Sequence, residues 1–349
     1  MIDTNFCMSS YLAFRYIIEK QYDFFEGLHH ENYPSVPENE MKLVGTAREI
    51  DVAIEEQIAP LRKKKCGILL SGGMDSAIVA SYLPGIDAYT FRFLGGEYQK
   101  DELERAQYYA KQNNMRLHYV DIDWSVIDDC LDVIMQRKGA PVHSIEPQIY
   151  AAAKQAKNDG IELMFIGDGS DYVFGGMDGL LSKDWDYDAW IRRFIYLNPE
   201  EILRNPVDVT YVFEKYKRAG GKVDFQKCMD DIATEESYGS YSNAFETAGL
   251  AYFDPYAIMK MSQPLDLKRV RNGESKYLIR ELFSTKYPDI PVPNKLPMPR
   301  PVDIYFANWE GPKRKEFRSD LNMSSFSGNQ KWLLYCLERF LNLYSPENK

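Results

Sequence analysis

Between residues 65 and 166, short apolar runs alternate with stretches whose apolar positions recur at helical spacing. The runs Cys66–Leu70, Ala88–Phe93, Leu117–Ile122 and Leu163–Ile166 predict buried strands. The segments Ser76–Tyr82, Asp101–Asn113, Ser125–Gln136 and Gln148–Asn158 predict the helices between them. Strand and helix in strict alternation are the signature of an α/β fold with a parallel sheet wrapped by helices. Right-handed crossovers in such a sheet bring the strand C-termini and their loops to one edge, where ligands bind. After Gly179 the strand signal fades and aromatic-rich amphipathic stretches such as Trp185–Leu197 and Gln330–Tyr344 predict a mainly helical second half. Ahead of the core, the pattern predicts a helix over Tyr11–Phe25, a connector around Pro34 and Pro37, and a helix over Ala47–Gln57. The organisation expected is an N-terminal helical appendage over 1–58, an α/β core over 59–180 and a helical part over 181–349.

Composition narrows the class. A chain of 349 residues with 45% hydrophobic positions is long enough to bury a sizeable core. Its net charge of −10, and basic runs no longer than Lys63, Lys64, Lys65 or Lys313, Arg314, Lys315, give no stripe for nucleic acid. Cys7, Cys66, Cys130, Cys228 and Cys336 are scattered, without CxxC or a histidine pair for zinc, and point to a reducing compartment. The N-terminus has no basic region leading an apolar stretch, and no run of about eighteen apolar residues occurs, so a cytoplasmic protein with no membrane partner is expected.

Candidate chemistry sits in two turns. In CGILLSGGMDSAIVASYL a buried strand passes through small residues into a helix. Gly72 and Gly73 let backbone approach a ligand closely, and the helix start offers free N–H groups to an anion. Ser71 and Ser76 add hydroxyls, and Asp75 inside such a nest calls for a bridging cation, most simply Mg2+. No GxxxxGK[ST] loop is present, so the turn reads as a pyrophosphate holder. The second turn, GDGSDYVFGG at Gly167–Gly176, repeats the logic and puts Asp168 and Asp171 on the ligand edge. Read alone, either turn is also a capped helix start, since Asp and Ser cap well.

Ser71–Ser76 resembles the SGGxDS loop of the ATP pyrophosphatase (PP-loop) family, and GDGSDYVFGG resembles the GEGxDExFGG segment of its asparagine synthetase and β-lactam synthetase branch. Asp101–Val120 is similar to that branch's DE-headed helix and following strand, YFDPY at Tyr252–Tyr256 to its PFLDH, and NGESKYLIRE at Asn272–Glu281 to its NGKxKYLLRE. PNKLPMP at Pro293–Pro299 stands where the branch carries RxKxGFP. The resemblance implies a Rossmann-like sheet of the adenine nucleotide alpha hydrolase type and a two-step, AMP-forming amide synthesis from a small carboxylate and ammonia or an amine. It places Ser71, Gly72, Gly73 and Ser76 on pyrophosphate, Leu70, Phe93, Ile166 and Gly167 on adenosine, and Asp75 and Asp171 on Mg2+. Lys276 meets the departing phosphates, Lys295 neutralises charge in the adenylation transition state, and Asp168 completes the catalytic set near the acyl acceptor. ATP and Mg2+ are the implied cofactors.

The departures matter equally. Family members carry a glutaminase with an N-terminal cysteine, whereas here Ile2 follows Met1 and only a short stretch precedes the loop, so ammonia is expected from solution or from a separate glutaminase. Asp168 replaces a glutamate, Tyr172 an acid and Pro297 a glycine, all near the acyl acceptor, which puts aspartate as the substrate in question. His143, in the loop before the second turn, reads equally as a substrate contact or as loop packing. A homodimer is compatible with this picture. The competing functions are an intramolecular amide-forming or lactam-forming cyclase, a sulfur-transfer PP-loop enzyme and a non-catalytic nucleotide-binding partner.

Overall fold

The computed structural model describes residues 1–30, 36–95, 99–294 and 298–345. Its centre is a five-stranded, wholly parallel sheet in the order β4-β3-β2-β5-β8, with β2 at Cys66–Leu69, β3 at Asp87–Phe93, β4 at Arg116–Ile122, β5 at Leu163–Phe165 and β8 at Ala251–Phe253. Side chains alternate across the sheet: Ile68, Leu70, Leu163 and Phe165 enter one hydrophobic cluster, and Leu69, Met164 and Ile166 enter the other. Helices α2 (Ala47–Ile58), α3 (Met74–Ala80) and α14 (Tyr277–Lys286) build the smaller cluster. The larger cluster takes α5 (Trp124–Lys138), α6 (Glu146–Asn158), α12 (Thr234–Ala248) and α16 (Gly328–Tyr344).

The remaining elements are peripheral. Helix α4 (Lys100–Gln112) joins β3 to β4, and β1 (Lys42–Val44) pairs with β9 (Met259–Met261) in a small parallel ribbon. The second half is mainly helical: α7 (Ser170–Val173), α8 (Asp178–Leu181), α9 (Tyr187–Phe194), α10 (Pro199–Ile202), α11 (Phe225–Cys228), α13 (Leu267–Arg271) and α15 (Val302–Tyr305), interrupted by the hairpin β6 (Lys217–Arg218) and β7 (Lys222–Val223).

The first helix departs from the expected span. Helix α1 covers Thr4–Phe14, because Asp3 caps it by accepting from the Phe6 N–H and Arg15 closes it in a left-handed conformation at φ 66°. The chain then folds back, with Ser10 Oγ accepting from the Ile18 N–H at 2.9 Å. Phe6 to Phe14 are buried without interruption, so α1 is apolar on all sides and behaves as a core helix. It packs against α16, and Phe24 stacks edge-on to Phe340 at 4.8 Å between ring centroids. Among the described residues no helix is long and apolar enough to cross a membrane.

Candidate active site

The strand order reverses beside β2: the chain runs outward through β3 and β4, then returns to β5 on the other side of β2. The carboxyl ends of β2 and β5 flank that switch point, where open α/β sheets hold ligands. Both glycine-rich turns leave the sheet there.

The first turn closes on its own serines. Ser76 Oγ accepts from the Ser71 N–H at 3.0 Å, Ser71 Oγ accepts from the Gly73 N–H at 3.1 Å, and the two hydroxyls stand 3.0 Å apart. Helix α3 follows, with Asp75 in its first turn. A Cβ on Gly72 would lie 2.6 Å from the Glu102 carbonyl oxygen, so α4 demands the glycine independently of any ligand. Arg105 Nε donates to the Gly72 carbonyl at 2.9 Å, and burial pushes the Glu102 carboxyl up. Neither Glu102 nor Arg105 is among the site residues expected from sequence, although both belong to the DELER segment singled out there.

The second turn is packed backbone to backbone on the first: a Cβ on Gly167 would stand 3.0 Å from the Ser76 nitrogen and 3.1 Å from the Asp75 carbonyl carbon. The YFDPY segment clasps the pair. Asp254 Oδ2 accepts from the Asp168 and Gly169 N–H groups at 3.1 and 2.7 Å, its Oδ1 accepts from the Tyr256 N–H at 3.0 Å, and the Tyr256 hydroxyl donates to the Asp75 carbonyl at 3.2 Å. Burial pushes the Asp254 carboxyl up to about 6 despite those donors.

Lys276 ties the turns together through charge. Its Nζ lies 2.6 Å from Asp75 Oδ2, 2.7 Å from Asp171 Oδ1 and 3.5 Å from Ser170 Oγ, with the side chain 2% exposed. Burial works against the ammonium, but Asp75 and then Asp171 outweigh it and hold the lysine at about 12. Its backbone sits at φ 53°, a left-handed conformation that costs a non-glycine residue about 1–3 kcal/mol and recurs at functional sites.

The same carboxylates fit a cation. Asp75 Oδ1 is buried without a hydrogen-bond partner among the described residues, and Mg2+ commonly takes one or two carboxylates plus substrate phosphates. No group of three or more His, Cys, Asp or Glu able to hold a metal on its own occurs among the described residues. Asp168, beside Gly167 at the start of the second turn, accepts from Ser237 Oγ at 2.6 Å. Loss of solvation pushes it up to about 8, with Asp254 and Asp171 adding repulsion and Ser237 opposing.

Leu70, Phe93 and Ile166 stand at the ends of β2, β3 and β5 with their side chains in the core, Leu70 in the smaller cluster and the other two in the larger. Their N–H groups are engaged, with Tyr89 O, Gln99 Oε1 and Phe253 O respectively. The turns thus bring together Ser71, Gly72, Gly73, Asp75, Ser76, Gly167, Asp168, Asp171 and Lys276. Lys295 and Pro297 lie outside the described residues.

Beside this site the structure surrounds His143, read from the sequence as a substrate contact or as loop packing, with partners that sequence did not connect to it. Arg15, His143, Glu236 and Arg300 converge next to Ser237. His143 is 3% exposed, with burial pushing its imidazole down to about 3, and although burial raises the Glu236 carboxyl, the Arg15 guanidinium outweighs it and holds that carboxyl below its usual range.

Comparison with known proteins adds the lineage. The family model for asparagine synthase matches residues 48–249. A curated Methanocaldococcus jannaschii protein, provisionally named asparagine synthetase 1 (glutamine-hydrolysing), is 28% identical over 120 residues, which make up 32% of this chain and 21% of that protein. The chain thus spans about a fifth of that relative's length. Among solved structures, the U34-tRNA thiolase NcsA from Methanococcus maripaludis with its 4Fe-4S cluster aligns at a TM-score of 0.32 and 14% identity, over 86% of this chain and 80% of that one. NMN synthetase from Francisella tularensis aligns at 0.29 and 9%, over 73% of this chain and 99% of that one.

Proposed function

The chain belongs to the asparagine synthase family, and from that membership we propose that it is an ATP-dependent, AMP-forming amide synthetase acting on a carboxylic acid. The observation that carries the reading is Lys276 held between Asp75 and Asp171 at the junction of the two turns. Adenylyl transfer depends mainly on positioning and charge neutralisation, and a buried lysine with two carboxylates at a strand switch point supplies both.

In the first step an acyl oxygen forms a bond to the α-phosphorus of ATP, the bond from that phosphorus to the β-bridging oxygen breaks, and pyrophosphate leaves. Ser71, Gly72, Gly73 and Ser76 receive the departing phosphates, with Lys276 beside them, and Leu70, Phe93, Ile166 and Gly167 border the adenosine through their backbone at the strand ends. Asp75 and Asp171 are the residues to hold Mg2+, which supplies neutralisation of phosphate charge when bound. Burial pushes the Asp168 carboxyl up to about 8, which favours its neutral form and so a hydrogen bond to the acyl carboxylate over repulsion by a second anion. Lys295 neutralises charge on the phosphorus centre. In the second step ammonia or an amine forms a bond to the acyl carbon, the bond from that carbon to the AMP oxygen breaks, and AMP leaves while the nitrogen sheds a proton to solvent.

Sulfur transfer is the less favoured reading, because it needs thiolates. The five cysteines are buried and free, and burial pushes Cys7, Cys130 and Cys228 up to about 12. The test is to incubate the protein with ATP, Mg2+ and a panel of carboxylic acids, following pyrophosphate exchange and the nucleotide product. AMP with pyrophosphate is expected, and ADP as the main product would overturn the proposal.

A further inference from the structure

The first turn satisfies its own N–H groups with two kinds of acceptor. The Ser71 N–H goes to Ser76 Oγ and the Gly73 N–H to Ser71 Oγ. A hydroxyl that accepts keeps a hydrogen to donate. The two hydroxyls spend one hydrogen on their mutual contact of 3.0 Å, so the pair still has one to offer to a phosphate oxygen. Gly72 stands between them and is served differently: its N–H donates to the Glu102 carboxylate.

Glu102 is built against this peptide. It lies in the first turn of α4, and a Cβ on Gly72 would meet its Cα and its Cγ at 2.8 Å each. Arg105, one turn further along α4, takes the Gly72 carbonyl through Nε at 2.9 Å, so α4 holds both polar groups of the Gly72 backbone. Burial raises the Glu102 carboxyl, and the Gly72 N–H and then Arg105 oppose it. An ionised carboxylate is acceptor-only and repels a second anion brought to the same N–H. A phosphate oxygen therefore reaches the serine hydroxyls without displacing anything, but it reaches the Gly72 N–H only if Glu102 lets go. The Glu102 side chain is half-buried, so it has solvent to turn towards while α4 stays folded.

Lys276 plays the matching part for the opposite sign, with its ammonium between Asp75 and Asp171, the carboxylates that fit a cation. The two turns thus carry an anion and a cation of their own. We propose that Glu102 is a tethered anion that competes with pyrophosphate for the Gly72 N–H: it is displaced as the polyphosphate of ATP enters the loop, and its return as pyrophosphate leaves speeds release of that product. It acts through the loop and not on the reacting atoms, so it is a positioning residue. The proposal rests on the reading of this turn as the holder of the departing phosphates.

The test measures binding of inorganic pyrophosphate and of AMP, each with Mg2+, by calorimetry on the wild type, Glu102→Ala and Glu102→Gln. Pyrophosphate exchange with the panel of acids is followed in parallel. A ligand that needs the released state binds more weakly by the fraction released, and a charge-assisted hydrogen bond sets that fraction, so Glu102→Ala should bind pyrophosphate on the order of tenfold more tightly. AMP, which leaves the loop out, should bind as it does to the wild type. Glu102→Gln keeps an acceptor for the Gly72 N–H but loses the charge, and should fall between the wild type and Glu102→Ala. A purely structural clamp gives the reverse: Glu102→Ala loosens the loop and weakens pyrophosphate, and Glu102→Gln matches the wild type. Pyrophosphate binding to the variants no tighter than to the wild type overturns the proposal, as does a gain for AMP as large as that for pyrophosphate, or no pyrophosphate binding by any of the three proteins. Tighter pyrophosphate binding by the variants, with no acid supporting exchange, instead overturns the ligase reading and leaves the competition intact. If Glu102→Ala does not fold, Glu102→Gln decides.

Discussion

Replacing Lys276 with methionine removes the charge while keeping side-chain length and a non-glycine residue at φ 53°, so the backbone strain is unchanged. The ammonium lost is 2.6 and 2.7 Å from two carboxylates and 2% exposed. Breaking a buried pair by removing one partner costs about 3–5 kcal/mol, because the remaining charge is uncompensated. Here two like charges remain, which places the cost toward the upper end. Unfolding entropy of about 2.1 cal/mol/K per residue over 349 residues is about 0.7 kcal/mol/K, so Lys276→Met should lower Tm by about 4–7 °C in metal-free buffer. Adding Mg2+ should return part of that loss, since a divalent cation can take the place between Asp75 and Asp171, and should stabilise the variant more than the wild type. Scanning calorimetry with and without Mg2+ measures both effects, and pyrophosphate exchange should be lost in either buffer. A variant that melts within ~1 °C of wild type without metal would refute the view that Lys276 holds the two turns together.

Asp168 makes a pH-dependent prediction. Its carboxyl is raised from 3.8 to about 8 in the folded chain, so between those values the folded state holds a proton that the unfolded state has released, and stability falls as pH rises. Asp168→Asn should flatten that part of the Tm against pH profile and melt above wild type at pH 8, as read by calorimetry across the range. Gly72→Ala drives a methyl into the Glu102 backbone and should cost about 1–3 kcal/mol in a urea titration, even with no nucleotide present. Asp75→Asn should abolish Mg2+-dependent turnover yet keep the fold, because Lys276 retains Asp171, and rates with melts measured side by side decide it. Lys295→Ala should lower the catalytic rate by about two to three orders of magnitude with ATP affinity nearly unchanged, and steady-state kinetics with nucleotide binding check both halves.

The parallel core was legible because its strands are buried on both faces and so read as short continuous apolar runs, and because its helices keep apolar residues at helical spacing. The strands β2 to β5 accordingly fall within a residue or so of the expected spans. β8 was not: at the sheet edge Ala251 is exposed and Tyr252 and Phe253 only half-buried, so it carries no apolar run like that of β5. The start of α1 was missed because its boundary is set by single-residue events, the Asp3 cap and the left-handed Arg15, and a helix buried on all sides shows no polar face. Asp75, Asp171 and Lys276 were readable only through their motifs, as Lys276 is 201 residues from Asp75. The arginine cluster had no such signal: Arg15 meets Glu236 across 221 residues and Arg300 approaches His143 across 157, and lone arginines outside a motif look like surface.

The packing of α1 against α16 bears on how the protein is made. A helix buried on every side has no stable resting place until its partners exist, and beside α10 these include the last helix described, Gly328–Tyr344. At about 5–20 residues per second of synthesis, α1 emerges tens of seconds before α16 and spends that interval as an exposed apolar segment. Chain elongation, and whatever cellular holdase shields nascent apolar helices, then govern the yield of folded protein more than the final stability does. Slowing translation between the α/β core and α16 should raise the aggregated fraction, and supplying α16 in trans to a chain stopped before it should recover soluble protein.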